Sequence, residues 1–169
     1  MSHFAVELQG LPALRARLQP GRLLQPTKAF IKDLAETAQR TAQRAAKPHS
    51  ADKGTLGRQI AIEYSSDGEL ARIYPQPRIA NVAQTVEVGR KAGKRPPYGP
   101  IKRWAIAHGF IPSGKGNSKL VHQLRERVMH EGTKGVHFMQ TAEDVTERAM
   151  REGIPHTEQE IHAAWERPA

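Results

Sequence analysis

The sequence predicts an α+β fold: a small antiparallel β-sheet of three or four strands, packed by a long N-terminal helix and by several helices in the C-terminal half. Three observations carry this. From Thr27 onward Phe30, Ile31, Leu34, Ala35, Ala38, Ala42 and Ala45 recur at helical spacing, the pattern of a helix with one buried face. Residues 59–64 and 70–74 alternate apolar and polar side chains on either side of Ser66-Asp67-Gly68, which reads as a β-hairpin. Beyond Pro100 the helical spacing returns, punctuated by Gly109, Gly132 and Gly153.

Taken in order, residues 4–8 alternate and predict a short opening strand before Gly10, and Leu11, Leu14 and Leu18 then follow helical spacing up to Pro20. Thr27 is placed to cap the long helix, which ends before Pro48. Its alanines keep the buried face thin: at about 0.8 kcal/mol per buried methylene, Ala contributes far less than Leu. The helix therefore depends on close packing against a sheet or a second helix. Residues 49–58 are polar and read as a loop, and Pro75 and Pro77 close the hairpin. Val82, Val86 and Val88 occupy alternate positions and predict a third strand. Pro100 suits the first turn of a helix whose face is Ile101, Trp104, Ala105 and His108, stopped by Gly109. Asn117 caps the next, with Leu120, Val121, Leu124 and Val128 on one face and Gly132 as its stop. Thr141 with Asp144, and Thr157 with Glu160, form two capping boxes that predict a third helix ending at Gly153 and a fourth after it.

Composition narrows the function. With 38% apolar and 25% charged residues the chain is globular rather than disordered, yet polar enough that neighbours are expected to complete part of its apolar surface. No run approaches the roughly 18 consecutive apolar residues of a membrane span, and the start Met1-Ser2-His3-Phe4 has no basic segment followed by an apolar one. No membrane partner and no export are expected. Without cysteine, disulfides, thiolate metal sites and Cys nucleophiles are excluded, which fits assembly in a cytosol.

The net charge of +9 is unevenly placed. Residues 1–87 carry 12 basic and 8 acidic side chains. Between Glu87 and Glu126 there is no acid, while Arg90, Lys91, Lys94, Arg95, Lys102, Arg103, Lys115, Lys119 and Arg125 are all basic. Residues 126–169 reverse the balance, with 5 basic against 9 acidic. A chain this polar along its length calls for something negative near its middle. Phosphates of DNA satisfy that through counterion release. The acidic segment of a neighbouring copy, with Glu143, Asp144, Glu147 and Glu152, satisfies it too, because head-to-tail contacts pair two different surfaces and can close into rings. A solvated basic loop is the third reading.

Other chemistry finds little support. Residues 109–115 place glycine and lysine as a phosphate-binding loop does, but Gly116 stands where Ser or Thr must hold magnesium, and a helix rather than a strand precedes the run. The eight histidines include no His-Glu-x-x-His pairing, so no metal site is expected. Acids such as Glu143, Asp144 and Glu147 alternate with Arg148 and Arg151 as on a solvated helix. No catalytic residue and no cofactor are expected. Tyr98 and Trp104 are the only rings among the basic residues, too few for single-strand stacking, and Trp104 fits the apolar face with Ile101.

The order of the motifs resembles the tail-completion family of long-tailed bacteriophages, also called minor tail components or gene-product-ten-like proteins. Gly10-Leu11 and a long Ala-rich helix lead to Gly54-Thr55-Leu56-Gly57-Arg58-Gln59-Ile60, similar to the Thr-Gly-x-Leu-Arg-x-Ser-Ile that opens the family's first hairpin. Here Gly54-Thr55 reverses the usual order and Gln59 replaces Ser. Val86-Glu87-Val88-Gly89-Arg90, then Arg95-Pro96-Pro97 and the Trp104 helix, resemble its glycine, proline and tryptophan block. Gly132-Thr133-Lys134-Gly135-Val136-His137-Phe138-Met139 with Ala142 resembles its closing element. The resemblance covers roughly residues 5–152, which implies one such domain over residues 1–153 and a C-terminal helical extension over 154–169. It implies a structural, non-enzymatic virion protein of the neck or upper tail, assembled in the host cytoplasm as a ring, expected to be hexameric. Its partners would be the tail terminator, the head–tail connector or the tail tube, with non-specific contact to genomic DNA. Gly89, Trp104, Gly132 and Phe138 carry over as fold markers, and Arg90, Lys91, Lys94, Arg95, Lys102 and Arg103 are the expected subunit-interface or DNA-channel patch. A tail terminator capping the tube, or a basic non-specific DNA-binding protein, remain the alternatives.

Overall fold

The computed structural model describes residues 20–49, 55–112 and 118–166. The expected strand over 4–8, the helix from Leu11 to Leu18 and the Asn117 cap lie outside them, as does Lys115. Helix α1 spans Pro20–Ala46, a single helical turn α2 spans Thr55–Arg58, and the hairpin strands β1 and β2 span Ile60–Tyr64 and Ala71–Pro75. Helix α3 comes next at Ala80–Val88 and runs into strand β3, Gly89–Arg90. Helices α4 (Tyr98–Ala107) and α5 (Ser118–Glu131), strand β4 (Thr133–Lys134) and helix α6 (Phe138–Glu166) complete the order. The class is α+β.

The long helix starts earlier than Thr27, at Pro20, and runs through Pro26. Pro26 removes one ladder bond, and packing compensates: Ala35, Ala38, Ala42 and Ala46 are all buried. Their small side chains let α6 approach. Gly153 of α6 lies against the ring of Phe30, where a Cβ would collide, while Phe138 and Ala142 share a cluster with Ala42 and Ala46 at the other end. The two helices therefore run antiparallel, and they form the largest contact in the molecule.

The hairpin pairs antiparallel, with Ile60 opposite Pro75, Ile62 opposite Ile73 and Tyr64 opposite Ala71. Ile60 is buried in the α1–α6 cluster, and the Gln39 side-chain amide on α1 donates to its carbonyl at 2.8 Å. In the turn the Ser65 hydroxyl donates to Asp67, and Asp67 also accepts from the Glu69 N–H at 3.0 Å. Both bonds hold the exposed Asp67 carboxyl below its ordinary pKa, the hydroxyl most strongly.

Three expectations are corrected by the structure. The strands do not form one sheet but two antiparallel pairs, β1–β2 and β3–β4. The alternating valines are not a strand: residues 80–88 are helical. Ile79, Ala83 and Val86, at steps of four and three, face the core, which leaves Val82 and Val88 exposed. The third and fourth C-terminal helices are likewise one. Helix α6 passes Gly153 and Pro155 unbroken, and Thr141 and Thr157 do not cap but donate back to the carbonyls of His137 and Gly153. Its start is capped from elsewhere: the Glu87 carboxylate on α3 accepts from the N–H groups of Met139 at 2.9 Å and Gln140 at 3.3 Å.

Helices α4 and α5 sit between β3 and β4 in the chain and pack on each other through a second cluster, Ala105, Ile111 and Val121 with Trp104, Leu120 and Leu124 against it. This helical hairpin is an insertion whose two ends are joined by the β3–β4 ladder, Gly89 opposite Lys134 and Arg90 opposite Thr133. The crossing is too tight for side chains. A Cβ on Gly89 would fall on the Thr133 carbonyl oxygen, one on Gly132 on the Arg90 carbonyl, and one on Gly135 on the Glu87 carbonyl. Gly89 and Gly132 also have φ of 85° and 74°. Gly89→Ala or Gly132→Ala is therefore expected to cost about 3 kcal/mol or more, read as the urea midpoint. Gly109→Ala, with φ 74° but open space around it, should cost only about 1 kcal/mol. Glu87→Ala removes the cap of α6 and is expected to cost about 1–2 kcal/mol in the same assay, with Glu87→Asp recovering only part of it because the shorter stem does not reach both amides.

Candidate interaction surfaces

The two charged regions of the sequence fall on two different parts of the fold. All the described cations between Arg90 and Arg125 belong to the inserted hairpin and its neck, whereas Glu143, Asp144, Glu147 and Glu152 are exposed along α6.

The neck is a braced strap rather than a free loop. Arg90 is half-buried, its guanidinium donates to the Lys94 carbonyl, and its own N–H is bonded to the Thr133 hydroxyl at 3.1 Å. Gly93 donates to the Met129 carbonyl at 2.7 Å. Arg95 pairs with Glu126 on α5, and the Arg125 guanidinium donates to the buried Pro96 at 2.8 Å while lying 5.7 Å from the Tyr98 ring centre. These contacts spend Arg90, Arg95 and Arg125 within the chain. Among the described residues Lys91, Lys94, Lys102 and Arg103 have no ion-pair partner.

On α6, Glu147 pairs with Arg151 one turn on, and Glu143, Asp144 and Glu152 have no ion-pair partner among the described residues. Glu143 and Glu147 rim a groove of about 690 Å³ between α1, β2 and α6, whose apolar lining includes Ala38, Ile73, Met139, Ala142 and Met150. A second groove of about 720 Å³ lies where the inserted hairpin meets the body, lined by Val86, Ile101, Trp104, Leu124, Val128 and Val136 among others. Trp104 is half-buried there, stacked between His108 and Phe110 with ring centres at 4.7 and 5.1 Å. The His108 ring reaches the Trp104 carbonyl through Nδ1 at 2.9 Å and the Pro48 carbonyl through Nε2 at 2.7 Å, and so ties the end of α4 to the end of α1.

The glycine-lysine run offers little to a phosphate in its described part: the N–H groups of Phe110 and Ile111 both point at the Ala105 carbonyl, closing the end of α4. No group of three or more His, Asp or Glu side chains able to hold a metal occurs among the described residues. His156 and His162 each lie near a glutamate one turn on, at 3.7 and 3.6 Å, on exposed helix. Hydrogen bonding to Glu131 raises the pKa of Arg127 above its ordinary value at the end of α5. No helix of the described residues is long and apolar enough to cross a membrane. No protein-family model, curated protein or solved structure matches the chain.

The strap's contacts are not equivalent. Arg95 and Glu126 are both exposed, so Arg95→Ala should lower stability by less than about 1 kcal/mol in urea unfolding. Arg125→Ala removes a charged hydrogen bond to a buried residue and the contact with Tyr98, and is expected to cost about 2 kcal/mol.

Proposed function

We propose that the chain is a structural protein of the neck or upper tail of a long-tailed bacteriophage, assembling in the host cytoplasm as a ring around the DNA channel of the virion. The observation that carries this reading is the partition of charge between two surfaces of one molecule: cations on the braced strap and α4, and carboxylates on α6, without ion-pair partners among the described residues. Surfaces of opposite sign on one subunit favour a head-to-tail contact, which closes when the rotation between copies divides a full turn. The resemblance in motif order supplies the expected six copies, and the tail terminator, the head–tail connector and the tail tube as partners. No catalytic step, cofactor or metal enters the proposal.

A specific observation also supports DNA contact: no acidic side chain interrupts the sequence between Glu87 and Glu126. A channel protein must let DNA pass, so weak, salt-screened contact with phosphates suits it better than tight binding. A tail terminator of similar size differs by halting polymerisation of the tail tube when added to it.

Light scattering of the whole chain at low and high salt tests the reading. A ring that dissociates with rising salt, alone or with tail-tube protein, is the expected result, and Lys91→Glu with Lys94→Glu should weaken its assembly. A monomer under every condition that shifts duplex DNA with a steep salt slope, and loses this on the same charge reversal, would replace the ring by the DNA-binding reading.

A further inference from the structure

The groove between α1, β2 and α6 is acidic and apolar at once. Its described lining carries Glu87, Glu143 and Glu147 and no lysine or arginine. Glu87 is spent on the first amides of α6, and Glu147 is shared with Arg151 in an exposed pair of small worth. Glu143 has no ion-pair partner among the described residues. Met139 and Met150 stand on the α6 wall, and Met150 is 41% exposed. Unbranched thioether side chains adapt to a guest better than branched ones. The groove calls for an apolar tip flanked by cations.

The chain presents such a tip. Val88, at the end of α3, is 68% exposed. Lys91 and Lys94 lie just beyond it, exposed and without an ion-pair partner among the described residues. This edge is held before any partner arrives: the glycine crossing fixes Gly89, the Arg90 guanidinium grips the Lys94 carbonyl, and Gly93 is bonded to Met129. An edge that is already ordered loses little freedom on docking.

We propose that the α1–β2–α6 groove is the seat for the Val88-to-Lys94 edge of a second copy of this chain, with Val88 covering the two methionines and the ammonium groups of Lys91 and Lys94 facing Glu143 and Glu147. This rests on the ring reading and names its contact. Edge and seat are made of different residues, adjoining at Glu87 and Val88, so each copy offers one of each, as a head-to-tail contact requires. Arg90 and Arg95 brace the edge instead of making the contact, which separates them from Lys91 and Lys94 although all four are close in sequence.

The experiment uses two full-length variants, a reversed edge (K91E with K94E) and a reversed seat (E143K with E147K), all at exposed positions, with circular dichroism confirming that each is folded. Assembly is read by sedimentation velocity at low ionic strength. Each variant alone is expected to need at least about tenfold more protein to assemble than the parent chain. An equimolar mixture should restore assembly, because the acidic edge of one variant meets the basic seat of the other, and only even numbers of copies can then close. The chain carrying all four changes should also assemble. A reversed-seat variant that assembles like the parent overturns the seat and leaves the ring reading standing. A parent chain that stays monomeric alone and with tail-tube protein overturns both. Restoration by mixing into particles of two copies supports the seat and rejects the ring.

Discussion

The crossing of β3 and β4 is the constraint on which the rest of this structure depends. Three glycines bring two backbones closer than any Cβ permits, so the chain is pinched there without side chains to fill the gap. Everything between Arg90 and Thr133 becomes an insertion with its own small core. The pinch also positions the start of α6. Val136 and His137 donate to the carbonyls of Val86 and Glu87, and two residues later the Glu87 carboxylate receives the first amides of that helix. One local crossing thus places the inserted hairpin, orients the basic strap and starts α6. A glycine here is required by contact as well as by φ, which is why the side chain of alanine is already too large.

The body beneath the crossing is built from closeness more than from area. Four buried alanines on α1, and Gly153 set against Phe30 on α6, let the two helices approach along much of their length. Gly57 does the same for the short α2 turn, where a Cβ would lie 2.9 Å from the Gln43 carbonyl of α1. Each small residue buries little surface, so stability comes from dense dispersion contacts and from a few large anchors, of which Phe138 and Ile60 are fully buried. The same economy leaves gaps where the small residues end. The groove rimmed by Glu143 and Glu147 opens where Ala38 and Ala142 form part of the lining and, among the described residues, no large side chain fills the space above them.

Much of this was legible in the sequence because it rests on local signals. The alanine stripe of α1, the hairpin about Ser66-Asp67-Gly68 and the stops at Gly109 and Gly132 are all written within a few residues of where they act. The misreadings share one cause, a tertiary partner distant in the chain. Val82, Val86 and Val88 alternate, but Ile79, Ala83 and Val86 fit the helical period and the core selected them. Thr141 and Thr157 offer plausible caps, yet the cap of α6 comes from Glu87, 52 positions before Met139, and no local pattern announces it. Gly153 and Pro155 look like a stop, but α1 packs along the helix on that side and holds it through both. Charge was legible as a run along the chain, whereas the division into spent and unspent cations was not: Arg90, Arg95 and Arg125 look like Lys91 and Lys94 until the strap is folded. Gly135 was legible as part of a motif and carries the same close approach as Gly89 and Gly132.

The division of cations has a consequence for a ring around DNA. Were every basic residue of the insertion free, a ring would multiply its positive charge and hold phosphates tightly at low salt. In this chain three of the arginines are bonded within the chain and brace the strap, and on the proposed contact two lysines per copy are neutralised by a neighbour's carboxylates. Assembly then lowers the charge that the finished ring presents to DNA, while the free subunit keeps a long-range field that steers it to the next copy. Lys102 and Arg103 on α4 take no part in that contact and keep their charge in the proposed ring. In the proposed ring the one basic run of the sequence is divided in two, the strap given to the subunit contact and the helix beyond it left to face DNA.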